Sequence, residues 1–230
     1  MQLKFFSKHQ RHRRVIGLDI GNTQAHLLIA EKASPFAHLL ALDSIAYDNN
    51  MFAQGIAIQP KTLAQILHPL LTAHAISHSV DSVALHIADE FIISDNIDTP
   101  CDLSVEELEA YITLELESRL SVSLTEIYFD FTVSGTYPNK YIFAACNKAI
   151  VNSRVQIVKS LGLLVNLVGI EKFLMANLHT HYQQHGLSTV ELFKKWQIHP
   201  NVNHELLNQQ TQTFAIAAAI ALEVLCCSCI

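Results

Sequence analysis

The sequence predicts an α/β fold that carries an inserted small α+β unit. A buried strand, a glycine turn and a second strand that runs back occupy residues 15–30. A helix that begins at Pro60 is followed by an apolar strand, Ser82–Ile87, which predicts a β-α-β crossover. Ser104 and Glu107 form a capping box that opens a helix outside this alternation. Half of the 230 residues are apolar, enough to bury a sizeable core.

The net charge of −6 is unevenly distributed. The first fourteen residues carry five of the fifteen basic residues and none of the twenty-one acids, so the remainder has a net charge near −11. Such a body is a poor surface for nucleic acid, and no direct nucleic-acid binding is expected. Residues 1–14 are predicted to be a basic N-terminal arm, either a solvated, frayed terminus or a segment that touches anionic lipid.

The compartment is predicted from what surrounds the first strand and from the cysteines. The basic residues run straight into the strand at Val15, without the apolar stretch of a secretory signal, so a cytoplasmic location is expected. The cysteines are odd in number and show no disulfide-framework spacing, which fits a reducing compartment. They are Cys101, Cys146, Cys226, Cys227 and Cys229.

The first part of the chain, residues 15–97, is predicted to be the first part of the core. After the opening hairpin, Phe36–Tyr47 alternates as a third strand and completes three antiparallel strands. The helix from Pro60 presents apolar residues on one face, and Ser82–Ile87 returns as a strand. Phe91–Ser94 is interpreted as a further strand.

Residues 98–147 are predicted to form an inserted helix-strand-strand subdomain. The stretch Asp95–Asp102 contains Pro100 and is interpreted as the boundary. The helix that begins after Ser104 is expected to run to about Leu120. Ile127–Val133 and Tyr141–Cys146 follow as two strands, and the turn between them is placed at Pro138-Asn139.

Residues 148–230 are predicted to be the second part of the core with a shortened C-terminal region. Lys148–Leu161 has helical periodicity, and Gly162 stands where a helix end favours positive φ. Leu163–Val168 is a predicted buried strand, and a helix is expected from Glu171 to about Tyr182. Phe214–Ile230 is strongly apolar but short for a membrane span and contains Glu223, so a core helix is expected.

The turn after the first strand is the candidate binding site. A carboxylate at the end of a buried strand, Asp19, precedes Gly21, whose missing side chain lets phosphate oxygens approach the backbone. With Asn22 and Thr23 this stretch could cradle phosphate and Mg²⁺. The alternative is a plain hairpin in which Asp19 caps the turn and Gly21-Asn22 supply positive φ.

Four stretches follow one another along the chain: Gly17–Thr23, Ser104–Arg119, Ile127–Val133 and Ala144–Leu163. In order and spacing they resemble the Gly-x-Asp-Ile-Gly loop, the "EELE" helix, the "DF.V" strand and the "AA.K…R…AGL" pattern of the PilM family. These are actin-like cytoplasmic proteins of type IV pilus assembly, also named competence proteins in bacteria that take up DNA through such pili. The resemblance covers most of residues 13–178.

The resemblance implies an actin-like (ribonuclease H-like) fold whose first domain carries an inserted subdomain. It also implies a partner, because in this family a groove near that subdomain holds the N-terminal cytoplasmic tail of the membrane protein PilN. The chain would therefore work with the pilus platform and be peripheral to the inner membrane through its partner. No motif identifies the individual groove residues.

Several positions depart from the family pattern. Relatives continue into a second domain with another Asp-x-Gly loop, and no second Asp-x-Gly follows residue 21 here. The lysine that usually follows the loop is matched by His26, and the acid at the later strand end by Gly169, although Glu171 remains. The expectation is a non-catalytic adaptor without a cofactor. Were ATP and Mg²⁺ to bind, they would lie at Asp19, Gly21, Asn22 and Thr23, with Asp19 near Mg²⁺ through water.

An enzyme remains the alternative function. Asp-Ile-Gly-Asn-Thr is also the opening signature of type III pantothenate kinases, ATP-dependent small-molecule kinases of similar length. Those kinases need a second Asp-x-Gly-Thr loop and a Gly-x-Asp-Arg motif, and neither is present in this sequence.

No metal site is expected. His181 and His185 have a ligand-compatible spacing with His179 nearby, but no acidic or cysteine partner lies close in sequence, so a solvated helix end is the preferred interpretation. The Cys226-Cys227-x-Cys229 motif is interpreted as buried thiols of the apolar terminal helix. The acidic residues of the helix after Ser104 are interpreted as its solvated face, which could also attract a basic partner tail.

Overall fold

A seven-stranded mixed sheet lies at the centre of the fold, seen in a computed structural model that describes residues 4–7, 14–34, 36–76, 81–100, 103–134, 137, 139–188, 191–209 and 211–227. The strands are β1 Lys4–Ser7, β2 Arg14–Ile20, β3 Gln24–Lys32, β4 Ala37–Ala46, β5 Phe52–Ala53, β6 Ile56–Ala57, β7 Asp81–Ile87, β8 Ile93–Asp98, β9 Ile127–Val133, β10 Lys140–Asn147, β11 Leu164–Ile170 and β12 Gln197–Ile198. The helices are α1 Pro60–Ala73, α2 Val105–Arg119, α3 Lys148–Ser160, α4 Glu171–Gln184, α5 His204–Gln209 and α6 Ala215–Cys227.

The strand order in the central sheet is β1-β11-β7-β2-β3-β4-β12. The predicted antiparallel hairpin and its third strand are confirmed as β2, β3 and β4. The predicted crossover is confirmed too, because β7 pairs parallel with β2, and β11 continues the parallel set beyond β7. The carboxyl ends of β2, β7 and β11 therefore lie side by side at the same end of the sheet.

The edge next to β11 is covered by the chain's own N-terminal residues. Lys4–Ser7 pairs antiparallel with β11, with Phe6 opposite Val168. The expectation of a frayed arm is therefore wrong for these four residues, because they complete a sheet edge that local sequence does not reveal. Residues 1–3 and 8–13 of the predicted arm lie outside the described residues.

Helices cover both faces of the sheet. On one face α1 and α3 pack against it, with residues such as Leu63, Leu67 and Ile157 buried. On the other face α4 and α6 cover it. The local signals worked as predicted: Pro60 stands in the first turn of α1, and Gly162 has φ +76° after α3.

The terminal helix α6 crosses the sheet in close contact with β2. A Cβ atom on Gly17 would lie 2.1 Å from the carbonyl oxygen of Ala217, so only glycine fits there. The predicted core helix is confirmed from residue 215 to residue 225, whose side chains are buried or half-buried. Among the described residues no helix combines the length and the apolar character that crossing a membrane requires.

The inserted unit is a three-stranded antiparallel sheet, in the order β8-β10-β9, with α2 on one face. The predicted capping box is confirmed: Ser104 N donates to Glu107 Oε2 at 2.8 Å, and Glu107 N donates to Ser104 Oγ at 3.3 Å. The sheet includes residues 93–98, of which the sequence boundaries assigned residues 93–97 to the core. Pairing with β10 overrides the weak strand propensity of Asp95 and Asn96.

Candidate functional site

The turn between β2 and β3 contains the residues predicted to cradle phosphate. Gly21 N donates to the carbonyl oxygen of Gln24 at 3.0 Å, and the hydroxyl of Tyr47 donates to the carbonyl oxygen of Gly21 at 2.7 Å. Gly21 and Asn22 do not have positive φ, so that part of the hairpin interpretation is wrong. Asn22 and Thr23 are exposed at the tip. The amide of Gly21, a possible phosphate donor, is thus used within the turn.

Asp19 does not cap this turn but pairs across the sheet. It stands opposite His26 in the β2–β3 register, and its Oδ2 accepts a hydrogen bond from Nδ1 of His26 at 2.9 Å. An ionised carboxylate only accepts hydrogen bonds, so the imidazole nitrogen is the donor. The ring of His26 also packs edge-on against Phe214, with the ring centroids 5.4 Å apart. His26 therefore links the candidate loop to the residue before α6.

Two further side chains lie at the same end of the sheet, one near the end of β7 and one directly after β11. Nδ1 of His86, near the end of β7, lies 3.7 Å from Oδ1 of Asp19, beyond hydrogen-bond distance. Nε2 of His86 lies 3.9 Å from Oε2 of Glu171, the first residue of α4. At the carboxyl ends of β2, β7 and β11, the carboxylates of Asp19 and Glu171 therefore lie on either side of the His86 imidazole and form one cluster with it.

Burial shifts the pKa of both His86 and Glu171. Removal from water lowers the pKa of His86, against the attraction of the Asp19 carboxylate, because the charged imidazolium is the form that burial disfavours. Burial raises the pKa of Glu171 for the corresponding reason, and Asp89 adds a second negative charge nearby. Burial raises the pKa of Tyr47 far above its usual range. His86 is therefore held as a neutral imidazole near pH 7.

Arg154 fixes the adjoining part of the core. Its guanidinium donates to the carbonyl oxygen of Gly55, which has φ +78°. The guanidinium carbon lies 5.3 Å from the ring centroid of Phe52 and 5.6 Å from that of Phe91. This buried cation therefore joins α3 to the β5–β6 hairpin and stacks on two aromatic rings.

Some members of the cluster were not predicted from sequence. His86 stands in an apolar run, where a polar residue near a strand end was the available signal, and Tyr47 was assigned only to a strand. His26 was noted as a replacement for lysine, but its bond to Asp19 depends on the strand register. In the described part of the chain, His, Cys, Asp and Glu side chains form no group of three or more arranged to hold a metal ion.

The histidines of α4 pack as aromatic rings. His181 and His185 contact Phe36, with ring centroids 4.9 Å and 5.0 Å from it. His179 shares a hydrogen bond with Gln183 on the same helix. The structure thus explains the histidine spacing by packing. The thiols of Cys226, Cys227 and Cys229 lie outside what the structure describes.

The inserted sheet packs against the start of α4 through the face that is turned away from α2. Because side chains alternate along a strand, the face of β8-β10-β9 turned away from α2 carries Asn96, Ile142 and Thr132 in one row across the sheet. Phe173 packs near Ile142 in a small apolar cluster. Nζ of Lys172 hydrogen-bonds to Oγ of Ser94, which ties α4 to β8.

A further row, at Ser94, Ala144 and Asp130, continues the inner face of the groove. The residues of this face are mostly half-buried and mix apolar, hydroxyl and charged side chains. We give the name subdomain groove to the inner face of the β8-β10-β9 sheet together with the first turn of α4, because the resemblance to the PilM family implies a partner groove near the inserted subdomain. An extended segment would find both apolar and hydrogen-bonding contacts in it.

Comparison with known proteins matches these features to a family. A family model described as type IV pilus assembly protein PilM matches residues 17–188. A chain of the PilM–PilN type IV pilus biogenesis complex superimposes with a TM-score of 0.61 at 21% identity, over 72% of this chain and 51% of that one. The cytoplasmic domain of EpsL, an inner-membrane component of the type II secretion system of Vibrio cholerae, gives a TM-score of 0.50 at 13% identity, over 70% and 58% of the two chains.

The actin-like fold predicted from the sequence is confirmed by these superpositions. The chain spans only about half the length of the matched chain in the pilus complex, at 51%. At such identities the superpositions establish the shared fold, while membership of a family rests on the sequence match.

Proposed function

The chain belongs to the PilM family of type IV pilus assembly proteins, and from this premise we propose that it is a non-catalytic adaptor that binds the N-terminal cytoplasmic tail of a PilN-like membrane protein. It would do so at the cytoplasmic face of the inner membrane, in a machinery for type IV pili or DNA uptake. The observation that carries the proposal is the family match over residues 17–188.

The subdomain groove is the proposed place for the tail. It offers an apolar centre at Ile142 and Phe173, flanked by the polar side chains of Asn96 and Thr132. The net charge near −11 after residue 14 favours a partner tail with basic residues. An extended peptide in this groove would contact both the inserted subdomain and the core, so binding would also fix their relative positions.

The state of the candidate loop supports a non-catalytic role. The carboxylate of Asp19 is bonded to His26, and the amide of Gly21 is bonded within the turn. A nucleotide would have to break both interactions before its phosphates could be held, which costs free energy. ATP turnover that is abolished by Asp19→Ala would contradict this part of the proposal and would favour the kinase alternative.

Calorimetry with a synthetic peptide tests the binding. The peptide is the cytoplasmic N-terminal tail of a PilN-like protein from the same organism, and we expect binding in the micromolar range to the full chain. Ile142→Asp and Thr132→Arg in the groove should weaken binding at least tenfold. Leu114→Asp is the matched control, because Leu114 is 65% exposed on α2, outside the groove. Absence of binding heat at high micromolar concentration would contradict the proposal.

A further inference from the structure

The strand β1 covers the one side of β11 that no other described strand occupies. β11 pairs with β7 on its other side, and its side chains are buried from Val165 to Ile170. Without β1, an apolar strand would present a row of unpaired N–H and C=O groups at the sheet edge. Such an edge is a template for any extended segment of suitable sequence.

β1 holds this edge weakly. It has four residues, and its register with β11 shifts between Lys4 and Phe6. The pairs extend only over Leu167, Val168 and Gly169, although β11 has seven residues. An extended segment of six or seven residues could pair along more of β11, and so it could replace β1 with a gain in main-chain hydrogen bonds.

The position of β1 relates it to the subdomain groove. β1 lies against β9, the outer strand of the inserted sheet. β9 also contributes Thr132 and Asp130 to the inner face of the groove. A segment that replaced β1 would therefore touch both the central sheet and the inserted subdomain, the two units that border the groove.

We propose that the outer edge of β11 is a strand-docking site, which residues 4–7 occupy in the free protein and an extended partner tail takes over by displacing them. This inference rests on the proposed function, because the tail is that of the PilN-like partner. The segment that leaves, Lys4-Phe5-Phe6-Ser7, is basic and apolar. We expect the tail that replaces it to be basic and apolar too, because the remainder of the chain has a net charge near −11.

The displacement has a measurable consequence for affinity. When a site is open in only a fraction of molecules, the apparent dissociation constant rises by the inverse of that fraction. Variants that weaken the pairing of β1 with β11 should therefore bind the tail more tightly than the natural chain does. A tail that binds elsewhere would show no such gain.

The test uses the full chain with Phe5→Pro and Phe6→Pro together. Neighbouring strand residues point their N–H groups in opposite directions, so one of two adjacent prolines removes a ladder hydrogen bond whichever the register. The matched control is His9→Pro with Gln10→Pro, two positions outside Lys4–Ser7. We expect the Phe5/Phe6 variant to bind the tail peptide at least tenfold more tightly, about 1.4 kcal/mol, and the control to bind as the natural chain does.

Hydrogen–deuterium exchange of the natural chain gives a second measurement that does not depend on a variant. On addition of the peptide, the amides of residues 4–7 should exchange faster while those of β11 stay protected. Peptide binding with equal affinity to the natural chain and the Phe5/Phe6 variant, or with residues 4–7 still protected, would overturn the inference and leave the proposed function intact. Absence of binding to every form would overturn both.

Discussion

Asp19 and His26 face each other across β2 and β3, with Oδ2 and Nδ1 2.9 Å apart. The pair joins two central strands at the end of the sheet where the carboxyl ends of the parallel strands lie. Their side chains are 15% and 10% exposed, so water screens the interaction little. The aspartate that the sequence identified as a candidate phosphate or Mg²⁺ ligand therefore also holds the sheet together.

Replacing Asp19 with asparagine tests this structural role. Asp19→Asn keeps the shape but removes the charge that accepts from His26. We expect the free energy of unfolding to fall by about 1.5–3 kcal/mol, the usual range for a hydrogen bond to a charged group. Urea unfolding measures it. Glu117→Gln on the exposed surface of α2 is the control and should change stability by less than about 0.5 kcal/mol. Equal stability of the natural chain and Asp19→Asn would contradict the role.

The two glycines of the Gly17-x-Asp-Ile-Gly21 motif should differ in what they tolerate. Alanine at Gly17 would place a Cβ 2.1 Å from the carbonyl oxygen of Ala217, so α6 would have to move. Alanine at Gly21 meets the carbonyl oxygen of Gln24 at 3.1 Å, which a small shift relieves. We expect Gly17→Ala to cost at least about 3 kcal/mol and Gly21→Ala about 1 kcal/mol or less.

Thermal and urea unfolding of Gly17→Ala and Gly21→Ala measure these two losses of stability. If Gly21→Ala were the more destabilising, the close approach of α6 to β2 would not be what requires glycine in this motif. The need for glycine in this motif would then lie in the turn at Gly21.

Local signals predicted much of this fold. Pro60, the Ser104–Glu107 box and Gly162 each act within one turn of a helix, so a short stretch of sequence contains both the signal and its effect. The hairpin of β2 and β3 was also predicted, because strand periodicity and turn residues lie next to each other in the chain.

Long-range pairing was not predictable in the same way. β1 finds its partner in β11, which lies far along the chain at Leu164–Ile170, and no residue of Lys4–Ser7 indicates it. The contact of His86 with Asp19 and Glu171 likewise depends on the order of parallel strands. The sequence named Asp19 and Glu171 separately, but only the sheet order places them around the same imidazole.

Arg154 should contribute far more to stability than an exposed arginine does. Arg154→Met removes the donor to the carbonyl oxygen of Gly55 and the stacking on Phe52 and Phe91. We expect a loss of about 2–4 kcal/mol in urea unfolding, because a buried carbonyl group is left without its partner. Arg119→Met is the matched control. It breaks surface ion pairs with Glu115 and Asp95 and an exposed hydrogen bond to the carbonyl oxygen of Asn96, and it should cost less than about 1 kcal/mol because water replaces these partners. Similar losses in both variants would contradict the assignment.

The buried imidazole of His86 should make stability depend on pH. Burial lowers its pKa in the folded protein, so below the unfolded value of about 6.5 the unfolded chain binds a proton that the folded chain does not. Stability should therefore fall as the pH falls from about 6.5 towards the lower folded pKa. The raised pKa of Glu171 acts in the opposite direction, because the folded state then binds the extra proton in the range above about 4.5.

His86→Asn separates these contributions, since asparagine keeps a polar side chain but does not titrate. Urea unfolding at pH 7.5 and pH 5.5 should show a loss of stability on acidification that is about 1 kcal/mol smaller in the variant than in the natural chain. Groups present in both proteins, Glu171 among them, cancel to first order in this difference. Identical losses in the two proteins would mean that the pKa of His86 is the same in the folded and the unfolded chain, which would contradict the lowered pKa of the buried imidazole.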